Sequence, residues 1–208
     1  SETFIPPIPG VDTVPFWTHR DALDNKELPA SLAIIGGGVI GIEFASFFNS
    51  LGVQVTVIEM LDEILGGMDK ELSALLRAEY AKRGIKFMLS TKVVSLAEAS
   101  SEDGKPQVQV NFENAEGTGS VLAEKLLMSV GRRPVTKGFG LENLELKRTE
   151  RGNICTNEQM QASAPGVYIC GDLTGYSLLA HTAVREAEVA VHTILGKKDC
   201  LLYTSPSP

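Results

Sequence analysis

The 208-residue chain has little cysteine, no excess of positive charge and no long apolar run, and each shortage removes a class of function. Its three cysteines, Cys155, Cys170 and Cys200, stand 15 and 30 residues apart. None forms a C-x-x-C pair and the count is odd. Neither a disulfide framework nor a zinc site is therefore expected, and the thiols read as reduced and structural. Lysine and arginine total 19 against 26 acids, for a formal net charge of −7. Without a basic excess or cluster, a nucleic-acid surface is excluded. The longest weakly charged run, residues 32–48, contains Glu43 and four glycines, too short and too interrupted for a membrane span. Residues 1–12 are rich in proline and lack a basic start, so no secretory leader is expected there and a cytoplasmic protein is. The chain carries no GxSxG, HExxH or P-loop lysine, and His19, His181 and His192 have no neighbouring partner set for nucleophilic chemistry.

What is present suits a folded α/β protein: 43% of residues are hydrophobic and 22% charged. Residues 1–30 read as a connecting segment, with extended and turn backbone enforced by Pro6, Pro7, Pro9 and Gly10 and a short helix over 21–27. Residues 31–35 form an apolar run suited to a buried parallel strand. A helix follows with Ile40, Phe44, Phe47, Phe48 and Leu51 on one face, then a β-branched strand over 53–59. A second helix is predicted over 69–83, with Asp69 as N-cap and Leu72, Leu75, Leu76 and Tyr80 along one side. A third strand covers 85–89. From 93 to 122 the pattern alternates, with Val108, Val110 and Phe112 on one face, which predicts an antiparallel meander. A buried strand over 125–130 then ends at Gly131-Arg132-Arg133-Pro134. Residues 31–134 thus read as one unit and 135–198 as a second, with strands at 153–156 and 167–170 and a helix over 181–195.

The turn Gly36-Gly37-Gly38-Val39-Ile40-Gly41 lies between a strand and a helix, and Glu59 ends the next strand 18 residues after Gly41. The first glycine permits the tight turn, the second lets a pyrophosphate approach the backbone, and the third lets helix and strand pack closely. The first helical N–H groups then face the phosphates. A carboxylate at Glu59 suits ribose hydroxyls and repels a 2′-phosphate, and no arginine follows within 60–63, so NAD is favoured over NADP. Glu43 has two readings, an acid stabilising the helix dipole or a contact near the nicotinamide. The stretch Cys170-Gly171-Asp172 also has two: a plain turn and helix cap, or an aspartate that accepts hydrogen bonds from sugar-like hydroxyls. A helix begins ten residues later, near Leu178-Leu179-Ala180-His181.

Five segments appear in order: Ile34-Ile35-Gly36-Gly37-Gly38-Val39-Ile40-Gly41-Ile42-Glu43-Phe44-Ala45, Val55-Thr56-Val57-Ile58-Glu59, Val130-Gly131-Arg132-Arg133-Pro134, Tyr168-Ile169-Cys170-Gly171-Asp172 and Leu179-Ala180-His181. Together they resemble the disulfide-reductase group of flavoproteins, the class I pyridine nucleotide-disulfide oxidoreductases, most closely the dihydrolipoyl dehydrogenases. The resemblance implies a Rossmann-like NAD-binding domain, a parallel sheet with a β-meander crossover, followed by part of an FAD-binding and central domain. It implies NAD on Gly36, Gly37, Gly38, Val39, Ile40, Gly41, Ile42, Glu43, Glu59, Val93 and Gly131. It implies FAD on Ser1, Asp172, Leu178, Leu179, Ala180 and His181.

The family's redox chemistry also uses a Cys-x4-Cys disulfide and a C-terminal interface domain with a His–Glu pair. Neither is found in this sequence, so no catalytic residue is assigned and the chain is expected to be the middle of an enzyme. The activity implied for the whole enzyme is oxidation of dihydrolipoamide with reduction of NAD through FAD and a disulfide. Its implied setting is a homodimer serving a 2-oxoacid dehydrogenase or glycine cleavage complex. Mercuric reductase, soluble transhydrogenase and NADH-dependent peroxidase are alternatives within the group, and a non-catalytic nucleotide-binding module is one outside it. Residues 199–208 match nothing in the family and are expected to be a non-native tail.

Overall fold

The computed structural model describes residues 1–199 and 201. The chain divides into two compact units, one formed by residues 3–131 and the other by 1–2 with 132 onward. It passes between them at two very short strands, β1 (Glu2–Thr3) and β9 (Arg132–Arg133).

The larger unit is built on a parallel sheet of β2 (Ser31–Ile35), β3 (Gln54–Ile58), β4 (Lys86–Met88) and β8 (Lys125–Met128), in the order β4-β3-β2-β8. The register runs Ser31 opposite Gln54 to Ile35 opposite Ile58, and Leu32 opposite Lys125 to Ile35 opposite Met128. Strands β2, β3 and β8 bury residues on both faces, which is why they read as apolar runs, while β4 at the sheet edge is only half-buried. Leu32, Ile34, Val55, Val57 and Leu127 point to one core, shared with α1 (His19–Asp24), α2 (Val39–Ser50) and α3 (Lys70–Lys82). Ala33, Ile35, Ile58, Leu126 and Met128 point to the other, against the meander of β5 (Lys92–Ser100), β6 (Pro106–Asn114) and β7 (Gly117–Ala123). The period of two along each strand thus divides helices from meander.

Three helix expectations need correction. The first helix starts earlier than 21, because Thr18 is its N-cap and closes a capping box with Asp21. On α2 the buried residues are Gly41, Ile42, Ala45 and Phe48, while Phe47 and Leu51 are exposed. Phe48 and the half-buried Phe44 thus keep to the expected face, and Gly41 sits where the Gly36 backbone leaves no room for a side chain. On α3 the Asp69 carboxylate caps the helix as predicted, accepting from Glu71 N at 2.9 Å and Leu72 N at 3.2 Å. Its packed side, however, carries Ser73, Leu76 and Tyr80, and Leu72 and Leu75 face solvent.

In the smaller unit the strands expected at 153–156 and 167–170 are reduced to isolated bridges, Arg148 with Ile154, Thr156 with Ala162 and Gln161 with Tyr168. Their amides bond to turns instead of a ladder: Ile154 N to Leu173 O at 2.9 Å and Ile169 N to Met160 O at 3.0 Å. Helix α4 (Ala180–Ile194) packs on the 3₁₀ turn Gly171–Leu173. Most of the expected 199–208 tail lies outside the described residues. Of the described residues there, Asp199 accepts from Arg185 at 2.5 Å and pairs with His192 Nδ1 at 2.8 Å, and Leu201 packs against the cluster of Met160 and Val189. Among the described residues no helix is long and apolar enough to cross a membrane, and no group of three His, Cys, Asp or Glu is placed to hold a metal ion.

The connection from β3 to α3 is pinned by a two-pronged ion pair. Arg77 donates from Nε to Glu63 Oε1 at 2.8 Å and from Nη2 to Oε2 at 2.9 Å, and Ile64 N donates to the same carboxylate at 2.9 Å. The hydrogen bonds from Arg77 hold the Glu63 carboxyl below its ordinary value of 4.5. A carboxyl lowered on folding contributes stability above its unfolded value, and the contribution is lost as pH falls through the folded one. Arg77→Met should therefore cost about 2 kcal/mol at neutral pH. The gap to wild type, measured by urea unfolding across pH, should narrow below about pH 4. A gap that stays constant down to pH 3 would contradict this account.

Candidate functional site

The glycine turn is shaped by two close approaches. Gly36 has φ +106° and its N–H donates to Ile58 O at 2.9 Å. A Cβ there would lie 2.5 Å from Ser129 O, and one on Gly41 would lie 2.1 Å from Gly36 O. Both contacts are to backbone, so the turn and the first turn of α2 admit no larger residue at either place. Gly38 differs. It is the N-cap of α2 in extended backbone, and a Cβ on it would meet nothing within 4 Å. The space over Gly38 is open from outside the chain. The first intrahelical bond runs from Ile42 N to Gly38 O at 3.0 Å, so the amides of Val39, Ile40 and Gly41 precede any helical acceptor and face that opening's end of the helix.

Glu59 follows β3 beside the turn. Its Oε2 accepts from Gly37 N at 2.6 Å and its Oε1 from Leu61 N at 2.8 Å. The carboxylate is half-buried and fixed at both oxygens by backbone donors, with lone pairs left for further donors. Leu65, held at φ +55°, donates its N–H to Gly37 O at 2.8 Å, and the buried Ile64 packs beneath. The pinned connection after β3 is thus the floor of the turn. Sequence reasoning missed Ser129, whose hydroxyl donates to Ile35 O and Gly36 O, each at 3.1 Å, latching the turn to β8's end. A serine just past a buried strand gives no signal of that role.

Other predicted residues fall elsewhere in this unit. Val39 is exposed and Ile40 half-buried at the helix start, while Ile42 is buried in the core. Val93 is half-buried against the core under the meander. Gly131 has φ +135°, and its carbonyl accepts from Phe4 N at 3.0 Å. Glu43 is exposed and lines a groove of about 460 Å³ with Leu23, Leu28, Phe44, Phe47 and Leu51, none of them a turn residue.

In the smaller unit, Asp172 is held within a cluster. Its carboxylate accepts from the Ser1 hydroxyl, and Ser1 Oγ in turn accepts from Arg132 Nε at 2.6 Å. Arg132 Nε lies 4.0 Å from Asp172 Oδ2, and its Nη2 donates to Ser1 O at 2.8 Å. Asn153 Nδ2 donates to Asp172 O at 3.2 Å. The structure therefore brings together two predicted residues, Ser1 and Asp172, and adds Arg132 and Asn153. Leu178, Leu179, Ala180 and His181 are exposed at the start of α4. The amides of Ala180, His181 and Thr182 precede its first helical bond, Ala183 N to Leu179 O at 3.1 Å. His19 and His192 each have a hydrogen-bond partner, Thr3 Oγ1 at 3.1 Å and Asp199 Oδ2 at 2.8 Å. Both partners are distant in the sequence or beyond a helix end, which no local pattern signals.

Comparison with known proteins shows the family. The model of the family described as pyridine nucleotide-disulphide oxidoreductase matches residues 1–187. The chain is 40% identical over 194 residues to a dihydrolipoyl dehydrogenase of Thermus scotoductus, covering 92% of this chain and 41% of that protein. It is 40% identical over 194 residues to dihydrolipoyl dehydrogenase 3 of Pseudomonas aeruginosa, covering 91% and 40%. Among solved structures it is similar to the HOCl-induced flavoprotein disulfide reductase RclA from Escherichia coli, with a TM-score of 0.83 and 28% identity over 95% of this chain and 44% of that one. LpdA from Mycobacterium tuberculosis gives 0.76 and 28%, over 92% and 39%. The chain thus spans about two-fifths of the length of the curated relatives it matches.

The two kinds of glycine separate folding from binding. Gly41→Ala should destabilise the larger unit by about 2 kcal/mol or more, because the new methyl meets backbone. Gly38→Ala should change stability by less than about 1 kcal/mol. Urea unfolding of both variants checks this, and equal losses would refute the assigned packing.

Proposed function

The chain belongs to the pyridine nucleotide-disulphide oxidoreductase family, and from that premise we propose that it is the NAD-binding part, with a portion of the FAD-binding part, of a dihydrolipoyl dehydrogenase. The chemistry supplied by bound flavin and nicotinamide is two-electron transfer from a dithiol to NAD. The chain's own residues bind and orient. The observation that carries the reading is the open space over Gly38, bordered by the unpaired start of α2 and by a Glu59 carboxylate fixed by two backbone amides.

In this reading the amides of Val39, Ile40 and Gly41 receive the pyrophosphate, with the positive end of the α2 dipole behind them. The carboxylate of Glu59 accepts from the adenosine ribose hydroxyls and repels a 2′-phosphate, which selects NAD over NADP. Gly36, Gly37 and Ile42 support that surface from behind, and Val93, Gly131 and Glu43 are assigned to its far edges by family resemblance. Asp172, with Ser1 beside it, accepts hydrogen bonds from the ribityl chain of FAD. The exposed start of α4, from Leu178 to His181, covers the pyrimidine edge of the flavin. A homodimeric parent enzyme serving a 2-oxoacid dehydrogenase or glycine cleavage complex belongs to the same proposal.

A titration of the purified chain with NADH and NADPH, followed by calorimetry, tests the NAD assignment. NADH should bind at least about tenfold more tightly than NADPH. Glu59→Arg should erase that preference, and Gly38→Ala should weaken NADH about tenfold at unchanged melting temperature. A folded wild-type chain that binds neither nucleotide, or binds NADPH equally well, would refute the reading.

A further inference from the structure

Glu186 is fully buried on α4, yet no part of the nucleotide reading uses it. A carboxylate without solvent is costly unless donors satisfy it. Its described donors are a backbone N–H and a hydroxyl: Gly171 N at 2.5 Å to Oε2 and Thr174 Oγ1 at 3.2 Å to Oε1. These two donors lie at the ends of the 3₁₀ turn Gly171–Leu173, on either side of Asp172. Within that turn Thr174 N donates to Gly171 O at 3.0 Å, and the single proton of the Thr174 hydroxyl is shared between Glu186 Oε1 and Gly171 O, the latter at 3.0 Å. Gly171 has φ +72°, a left-handed conformation that glycine adopts freely, and a Cβ on it would stand 3.4 Å from Ala183 of α4, so the turn lies directly against that helix. The turn carries no strand ladder to fix it, since the neighbouring residues make only isolated bridges. What fixes it to α4 is the Glu186 carboxylate.

We propose that Glu186 is a positioning residue, whose buried carboxylate spans the Gly171–Leu173 turn and so aims the Asp172 carboxylate at its ligand. The ligand is a polyhydroxylated chain of the ribityl type; that part rests on the flavin assignment above. The positioning runs through the backbone. The Gly171 amide is anchored from α4, Asn153 holds the Asp172 carbonyl at 3.2 Å, and the Asp172 side chain is left to face Ser1 and solvent.

The test uses the full 208-residue chain and two readouts: amide hydrogen exchange at Gly171 by NMR, and FAD affinity by quenching of flavin fluorescence. Glu186→Leu should lower Gly171 protection and FAD affinity each by about tenfold, the loss of one charge-assisted hydrogen bond. Glu186→Gln keeps a carbonyl acceptor for Gly171 N and should stay within about threefold of wild type in both. Where circular dichroism shows that the leucine variant has lost α4, Glu186→Asp carries the test. It keeps the charge but withdraws the acceptor by one methylene, and should show the same losses. Unchanged Gly171 protection in the leucine or aspartate variant would overturn the proposal, as would a glutamine variant as impaired as leucine. Where the wild-type chain, which holds only a portion of the FAD-binding part, retains no FAD, Gly171 protection alone decides whether Glu186 holds the turn.

Discussion

Everything in the larger unit depends on one close approach, the start of α2 against the end of β2. With Gly36 O only 2.1 Å from where a Gly41 Cβ would stand, the helix axis is drawn onto the strand end as far as backbone contact allows. This sets the direction in which the free amides of α2 point. It also leaves no room for a side chain at Gly41, on the buried side of the helix, while Phe47 and Leu51 face outward. The connection after β3 and the Ser129 hydroxyl then grip the turn from two sides, through Gly37 O and Gly36 O. Nothing in this arrangement fills the space over Gly38.

The same physics explains what could be seen in the sequence. Strands β2, β3 and β8 were legible because strands buried on both faces are apolar runs, and the meander because its pattern alternates. Asp69 was legible as a cap because its side chain acts locally, on the amides two and three residues on. Helix faces were less so. The spacing of Ile40, Phe44, Phe47, Phe48 and Leu51 suggested an apolar stripe, of which Phe44 and Phe48 pack inward while Phe47 and Leu51 do not, because the face is also chosen by how near the backbone comes to the sheet at Gly41, and glycine carries no hydrophobic signal. In the smaller unit the short runs at 153–156 and 167–170 had strand composition without strand partners, so tertiary bonds to turns decided their form.

The site followed the same division. The glycine turn and Glu59 announce themselves because their chemistry is local: a strand, a turn, a helix and an acid at fixed spacing. Arg132, Asn153, Ser129 and Glu186 do not, because each acts on a backbone group well separated along the chain. A buried glutamate in a helix of mixed composition reads as one more surface charge until its donors are located. Asp172 was legible as a turn residue, and only its surroundings distinguish a turn from a cluster held from three directions.

The central claim is that the open end of α2 over Gly38 is where a dinucleotide binds. Chemical-shift mapping of the ¹⁵N-labelled chain during addition of NAD tests it most directly. The account predicts that the largest shifts fall on the amides of Gly38, Val39, Ile40 and Gly41, with Leu61 responding through Glu59. Shifts concentrated instead around Phe47 and Leu51, in the groove on the other side of α2, would contradict it.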